Sequence, residues 1–154
     1  MRTEDGPRVV YDIDRNVAFL GLARVDGPAL VWELTDDPGP GWVVRCDRVD
    51  FPPGSIAHRH VHPGPGIRRM LFGELTIDRG GDLRTYRAGE SWYEGADDPV
   101  QATASANEDS AFVRVMLLPA EWAGRRTIRY VDPVDEDQPR LQRATVLLEE
   151  PLRT

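Results

Sequence analysis

The chain has 154 residues, of which 40% are apolar, and it carries a net charge of −7 and one cysteine. A chain of this length buries one core without disulfides, so a single domain is expected over 1–154. The negative charge repels phosphate backbones and anionic lipid, and no apolar run reaches the roughly 18 residues of a bilayer span. Neither nucleic acid nor a membrane is therefore expected as a partner. The start MRTEDGPRVV lacks the apolar segment of a secretion signal, which favours a cytoplasmic location.

Short runs rich in Val, Leu, Tyr, Trp and Phe follow one another along the chain, separated by 14 glycines and 13 prolines. This pattern predicts many short strands, first within 8–35, then in a core over about 40–120. Only LPAEWAGRR is expected to form a couple of helical turns. A tail over 125–154 ends in the strand ATVLLEE, which is expected to close over the barrel or to pair with a second subunit. Antiparallel sheets closed into a barrel or sandwich fit these elements, because closure removes exposed edges.

All three histidines of the chain, His58, His60 and His62, alternate along one predicted strand. Since alternate side chains of a strand share a face, the three imidazoles are predicted to point the same way. Imidazoles on an otherwise apolar face need a metal, an anion or water as partner, and a His-x-His pair can reach one metal ion. A solvated rim without any binding role is the alternative.

The spacing around these histidines resembles the first signature of the cupins: Gly54, five residues, His60-x-His62, three residues, Gly66, six residues, Gly73. The later stretch YRAGESWYEG, with the closing strand FVRVMLLP, resembles the second signature. The resemblance implies an all-β double-stranded β-helix, a cupin or jelly-roll barrel, with extra N- and C-terminal strands. It also implies a metal held by the histidine pair, and a homodimer formed by pairing sheets.

Two positions depart from the cupin pattern. Gly66 stands where the first signature has its glutamate, and Val100 stands where the second signature has its histidine. Any metal then depends on His60 and His62, with water in the open positions. Further ligands would come from His58, Gln101 or Asp98. Such a site predicts weak binding of a divalent ion, without a choice among Fe, Mn, Ni, Zn and Cu, or no metal at all.

Other residues are predicted to line a small-molecule pocket. Alternation from Gly66 directs Arg68 and Met70 inward, where the Arg68 guanidinium would favour an anionic ligand. A surface arginine paired with Glu74 or Asp78 is the alternative, and a register shifted by one residue would bring Arg69 inward instead. Gln101 is a further candidate for contact with the substrate.

The run SWYEG is predicted to reach the mouth of the barrel. Trp92 or Tyr93 is a candidate wall for an apolar ligand, although core packing is the alternative. Glu94 is a candidate general acid or base, with a rim salt bridge as the alternative. Cys46 is expected to be a buried small hydrophobe that faces inward.

These residues lead to two functional hypotheses. The first is a small-molecule cupin enzyme in which His60 and His62 hold a weak divalent metal that acts on an acidic or carbonyl-bearing metabolite, with Glu94 as a third catalytic residue. Dioxygenase, isomerase, lyase and cyclase reactions are all compatible with the fold. The alternative is a non-catalytic or metal-free cupin that binds a small anionic ligand. A metal-free enzyme with a histidine as general acid or base lies between them.

Overall fold

The computed structural model describes residues 8–20, 27–33 and 41–151. Within these residues the chain forms thirteen β-strands and two short 3-10 turns, and none of their helices is long and apolar enough to cross a membrane. The strands are β1 Arg8–Asp12, β2 Val17–Leu20, β3 Ala29–Glu33, β4 Trp42–Phe51, β5 Ile56–Val61, β6 Gly66–Phe72, β7 Glu74–Asp78, β8 Leu83–Arg87, β9 Ser91–Glu94, β10 Val100–Ala104, β11 Ser110–Pro119, β12 Arg129–Tyr130 and β13 Arg143–Pro151.

Eight consecutive strands, β4 to β11, build a barrel from two antiparallel sheets. Their pairing is nested: β4 pairs with β11, β5 with β10, β6 with β9 and β7 with β8. The resulting orders are β13-β4-β11-β6-β9, called here the β4 sheet, and β12-β5-β10-β7-β8, called the β5 sheet. Nested pairing of eight strands across two sheets is the jelly-roll arrangement. The prediction of an all-β double-stranded β-helix is confirmed.

A third sheet, β2-β1-β3, covers the outer face of the β4 sheet. Val9, Tyr11 and Leu30 pack there against Val44 and Cys46. Burial on both faces explains why β11 is a nearly continuous apolar run rather than an alternating one. The predicted strand residues 21–23 and 34–35 lie outside the described residues.

Cys46 is fully buried, as expected, but the inward direction was wrong. Arg45 and Asp47, its neighbours on β4, face the barrel interior, so Cys46 faces the third sheet. Burial raises the pKa of the Cys46 thiol to about 12. The thiol is therefore a protonated packing group.

The C-terminal tail closes over the barrel within the same chain. β13 pairs with β4 along most of its length, and β12 pairs with the end of β5. In place of the couple of helical turns expected in LPAEWAGRR, a single 3-10 turn spans Ala120–Trp122, and a second turn spans Pro133–Asp137. The tail thereby brings residues 124–128 and 140–149 to the open end of the barrel.

A β-bulge interrupts the pairing of β5 with β10. His60 lies opposite Val100, whereas Ala57 lies opposite Ala102, so β5 takes three residue steps where β10 takes two. An extra residue in one strand places two neighbouring side chains on the same side of the sheet. The bulge therefore leaves Ala57 and His60 inside the barrel and turns His58 and Arg59 outward.

Candidate functional site

A cavity of about 320 Å³ lies between the two sheets and opens beside the C-terminal tail. Its deep end is apolar and partly aromatic, since Phe112 packs against both Phe51 and Trp92 with ring centroids 5.6 and 5.7 Å apart. The other apolar lining residues of this deep end are Val49, Ala57, Leu75, Ile77, Val100 and Ala102. Charged and polar side chains line the next level, here called the belt, which consists of Arg45, Asp47, His60, His62, Arg68, Glu94 and Arg114.

His60 and His62 both line this cavity and are 5% exposed. Their ring centroids are 4.9 Å apart in an edge-to-face arrangement. The Nδ1 of His60 lies 2.6 Å from the carbonyl oxygen of His58, and a carbonyl only accepts, so this nitrogen carries the proton. The Nε2 of His60 therefore has a lone pair. Burial lowers the pKa of His60 to about 4, which keeps the ring neutral at pH 7.

His62 is held between the barrel and the tail. Its Nδ1 is 3.0 Å from the hydroxyl of Thr127, and its Nε2 is 3.5 Å from Nη1 of Arg114. A guanidinium only donates, so Nε2 is the acceptor in this long contact and Nδ1 donates to Thr127. Burial, with Arg114 next in effect, lowers the pKa of His62 well below its ordinary value.

Arg68, Trp92 and Glu94 form one connected group in the cavity wall. The Nε of Arg68 lies 3.2 Å from Glu94, and the indole Nε1 of Trp92 donates to the same carboxylate at 2.8 Å. Burial alone would raise the pKa of Glu94, but Arg68 and Trp92 outweigh it and the pKa lies below its ordinary value. Burial lowers the pKa of Arg68 to about 10, so the pair is ionised at pH 7. Alternation along β6 and β9 thus predicted the direction of all three side chains.

A second buried ion pair was not predicted. Arg114 on β11 donates to both carboxylate oxygens of Asp47 on β4, over 2.9 and 2.7 Å. Arg45, also on β4, donates to Glu149 at 2.7 Å and to the Trp122 carbonyl at 3.0 Å. The sequence held a signal for this pair, because VVRCDRV and FVRVMLL place charges inside otherwise apolar strands.

Several predicted site residues lie elsewhere. The shared face expected for the three histidines is wrong for His58, because the β5 bulge turns it outward to within 4.0 Å of Asp135. Gln101 falls between the inward Val100 and Ala102, so it faces away from the cavity and is not placed to contact a metal or a substrate there. Asp98 is exposed and accepts a hydrogen bond from its neighbour Gly95.

Met70 and Tyr93 are also absent from the cavity lining. Met70 points inward as predicted, but it packs in the apolar core between the sheets. Tyr93 is 54% exposed, because it alternates with the buried Trp92 and Glu94. Of the two aromatic candidates for the wall, Trp92 is therefore the one in place.

The barrel and its histidines together decide the type of fold. The eight strands have jelly-roll pairing, and the second of them carries His60 and His62 into the interior. The protein has a cupin fold. Gly54 and Gly73, which begin and end the predicted signature, flank β5 and β6 with φ angles of 75° and 72°, a region that favours glycine.

Solved structures similar to this cupin include three with related names. The polyketide cyclase RemF from Streptomyces resistomycificus is 16% identical, with 62% of this chain and 77% of that chain covered and a TM-score of 0.47. An RmlC-like cupin from Shewanella frigidimarina is 16% identical over 56% and 84%, with a TM-score of 0.45. A predicted oxalate decarboxylase from Thermotoga maritima is 25% identical over 47% and 64%, with a TM-score of 0.42.

These likenesses concern the fold, and neither a ligand nor a reaction follows from them. No protein-family model matches the sequence, and no curated protein matches it. The chemistry of this cupin must therefore come from its own side chains.

The belt does not fit a metal ion. Among the described residues, no three His, Cys, Asp or Glu side chains are placed to share one ion. Arg114 occupies the Nε2 side of His62 and Arg68 faces the same level of the cavity, so cationic groups stand where a cation would have to bind. A Cβ added to Gly66 would lie 3.0 Å from Nη1 of Arg68 and 2.6 Å from the carbonyl oxygen of Val115. The position of the cupin glutamate is thus closed to a side chain.

Proposed function

We propose that this cupin binds a small amphipathic molecule without a metal, with a carbonyl or carboxylate oxygen beside Arg68. One observation carries the proposal: Nη1 of Arg68 is buried in the cavity wall and has no hydrogen-bond partner among the described residues. A buried donor without an acceptor costs about 1–3 kcal/mol. An oxygen supplied by a ligand would remove this cost, and a guanidinium donates well to carbonyl and carboxylate groups.

The shape of the cavity supports the same ligand class. A volume of about 320 Å³ suits a molecule with one aromatic ring or a short chain. The aromatic deep end, where Phe51, Trp92 and Phe112 meet, favours an apolar body through burial of its surface. The neutral His60 supplies a second polar contact in the belt.

Phenylpyruvate, an aromatic acid with a ketone, is a suitable probe. Isothermal titration in EDTA is expected to show binding to the wild type and a loss of roughly tenfold or more in the double variant Arg68→Met/Glu94→Gln. This double variant removes both charges, so no buried carboxylate is left unpaired. Glu94→Gln alone is the matched control and should retain binding, because Arg68 keeps its donors.

Metal analysis of the untagged protein completes this test. Neither the wild type nor the control is expected to carry a stoichiometric divalent ion after metal loading. Binding that appears only with a divalent ion, or that survives intact in the double variant, would contradict the proposal.

A second candidate function is proton transfer at the carbon next to the bound carbonyl. The specific support is the fixed tautomer of His60, whose Nδ1 proton is held by the His58 carbonyl so that Nε2 is free to accept. In this step a C–H bond breaks, the proton goes to Nε2, and the electron pair moves to the carbonyl oxygen beside Arg68 as an enolate. The same proton can then return to carbon or to oxygen.

Deuterium exchange tests this candidate. Phenylpyruvate in D2O is expected to exchange its benzylic hydrogens faster with the wild type than in buffer, as measured by NMR. His60→Gln should bind the acid but exchange it at the buffer rate, because an amide does not accept the proton. Equal exchange rates for the wild type and this variant would eliminate His60 as the base.

A further inference from the structure

The charges of the cavity lining are unevenly distributed. The lining includes six arginines but only three carboxylates, in a chain whose net charge is −7. Three of the arginines are matched one to one by carboxylates, as Arg45 with Glu149, Arg68 with Glu94 and Arg114 with Asp47. The belt is therefore electrically balanced. The excess positive charge belongs to the exposed mouth, which is lined by Arg125, Arg126 and Arg140.

The mouth arginines are poorly matched by acids. Arg125 lies over the ring of Trp122, 4.6 Å from its centroid, and pairs with no carboxylate among the described residues. Arg126 is 3.9 Å from Glu136, and that carboxylate is already engaged by Arg140 at 2.6 Å. One carboxylate thus serves two guanidinium groups while a third has none.

We propose that the mouth binds a second, anionic group, a carboxylate or phosphate carried at the outer end of the ligand. The inference rests on the proposed function, because the same molecule would fill the cavity behind it. Its body would occupy the aromatic deep end, a carbonyl oxygen would meet Arg68, and the anion would meet Arg125 and Arg126. Trp122 holds Arg125 from behind and orients its guanidinium.

The energetics favour the mouth over the belt for the full charge. An anion in the belt would have to be desolvated and would disturb ion pairs that are already complete. At the mouth the anion stays partly hydrated and meets arginines whose charge is unbalanced. The belt retains one unmatched donor, on Arg68, which a neutral carbonyl oxygen satisfies.

A series of phenylalkanoates measures where the anion binds. With the phenyl group in the deep end, phenylacetate places its carboxylate in the belt, whereas phenylhexanoate and phenyloctanoate carry it toward the mouth. In the double variant Arg125→Gln/Arg126→Gln, the affinity of the long acids is expected to fall roughly fivefold, the effect of two exposed ion contacts. The affinity of phenylacetate should not change. In about 1 M salt the difference between the variant and the wild type should disappear.

The matched control is Arg84→Gln/Arg87→Gln, which removes the same charge from exposed positions of β8 outside the cavity. It should leave every affinity as in the wild type. If the long acids bind through the Arg68 group but the mouth variant and the control behave alike, the mouth proposal fails and the proposed function stands. If neither the acids nor phenylpyruvate bind the wild type, both fail.

Discussion

Arg114→Met is expected to lower the free energy of unfolding by about 3–5 kcal/mol, a large fraction of the stability of a domain of this size. The substitution leaves the carboxylate of Asp47, which is 2% exposed, without the fork of two hydrogen bonds at 2.9 and 2.7 Å. It also removes the donor that faces His62. Urea unfolding followed by tryptophan fluorescence gives the difference directly.

The double variant Asp47→Leu/Arg114→Met provides the control. Because both charges are removed together and replaced by apolar groups, most of the lost stability should return. A single variant that loses less than about 1 kcal/mol would show that water reaches the Asp47 carboxylate, as at surface ion pairs.

Acid is expected to destabilise the protein between pH 6.5 and about 4, because His60 is neutral in the folded state and takes up a proton on unfolding. Burial lowers the pKa of His60 in the fold to about 4 from 6.5, so its contribution is complete above pH 6.5 and lost by pH 4. This loss amounts to about 3 kcal/mol. Burial lowers the pKa of His62 as well, so it acts in the same direction.

Urea unfolding at a series of pH values measures this slope. His60→Gln should depend less on pH in this window, because one of the two buried groups no longer takes up a proton. His58→Gln is the matched control, since His58 lies outside the cavity. A wild type whose stability is constant from pH 6.5 to 4 would contradict the burial of both imidazoles.

The sequence predicted the fold and part of the site through side-chain alternation. The period of two along β6 and β9 placed Arg68, Trp92 and Glu94 inside, and turn residues at the signature glycines marked where strands end. The same period failed on β5 because a single extra residue shifts the alternation, and nothing in AHRHVH marks that bulge. His58 was misplaced for this reason.

The ion pair of Asp47 with Arg114 joins residues 67 positions apart. Finding it requires knowing that β4 and β11 are neighbours, which alternation within one strand does not reveal. Arg125 and Arg126 were missed for a related reason: they belong to an irregular segment whose position depends on where β12 and β13 dock. Pairing between distant strands was therefore the missing information.

The two sheets of the barrel divide the polar groups between them. His60 belongs to β5, whereas Arg68, Glu94 and Arg114 belong to strands of the opposite sheet. A guest molecule that touches the imidazole and a guanidinium at once would act as a cross-brace between the layers. Its binding energy would then resist separation of the layers and slow amide hydrogen exchange throughout the β-sandwich, far from the contacts themselves.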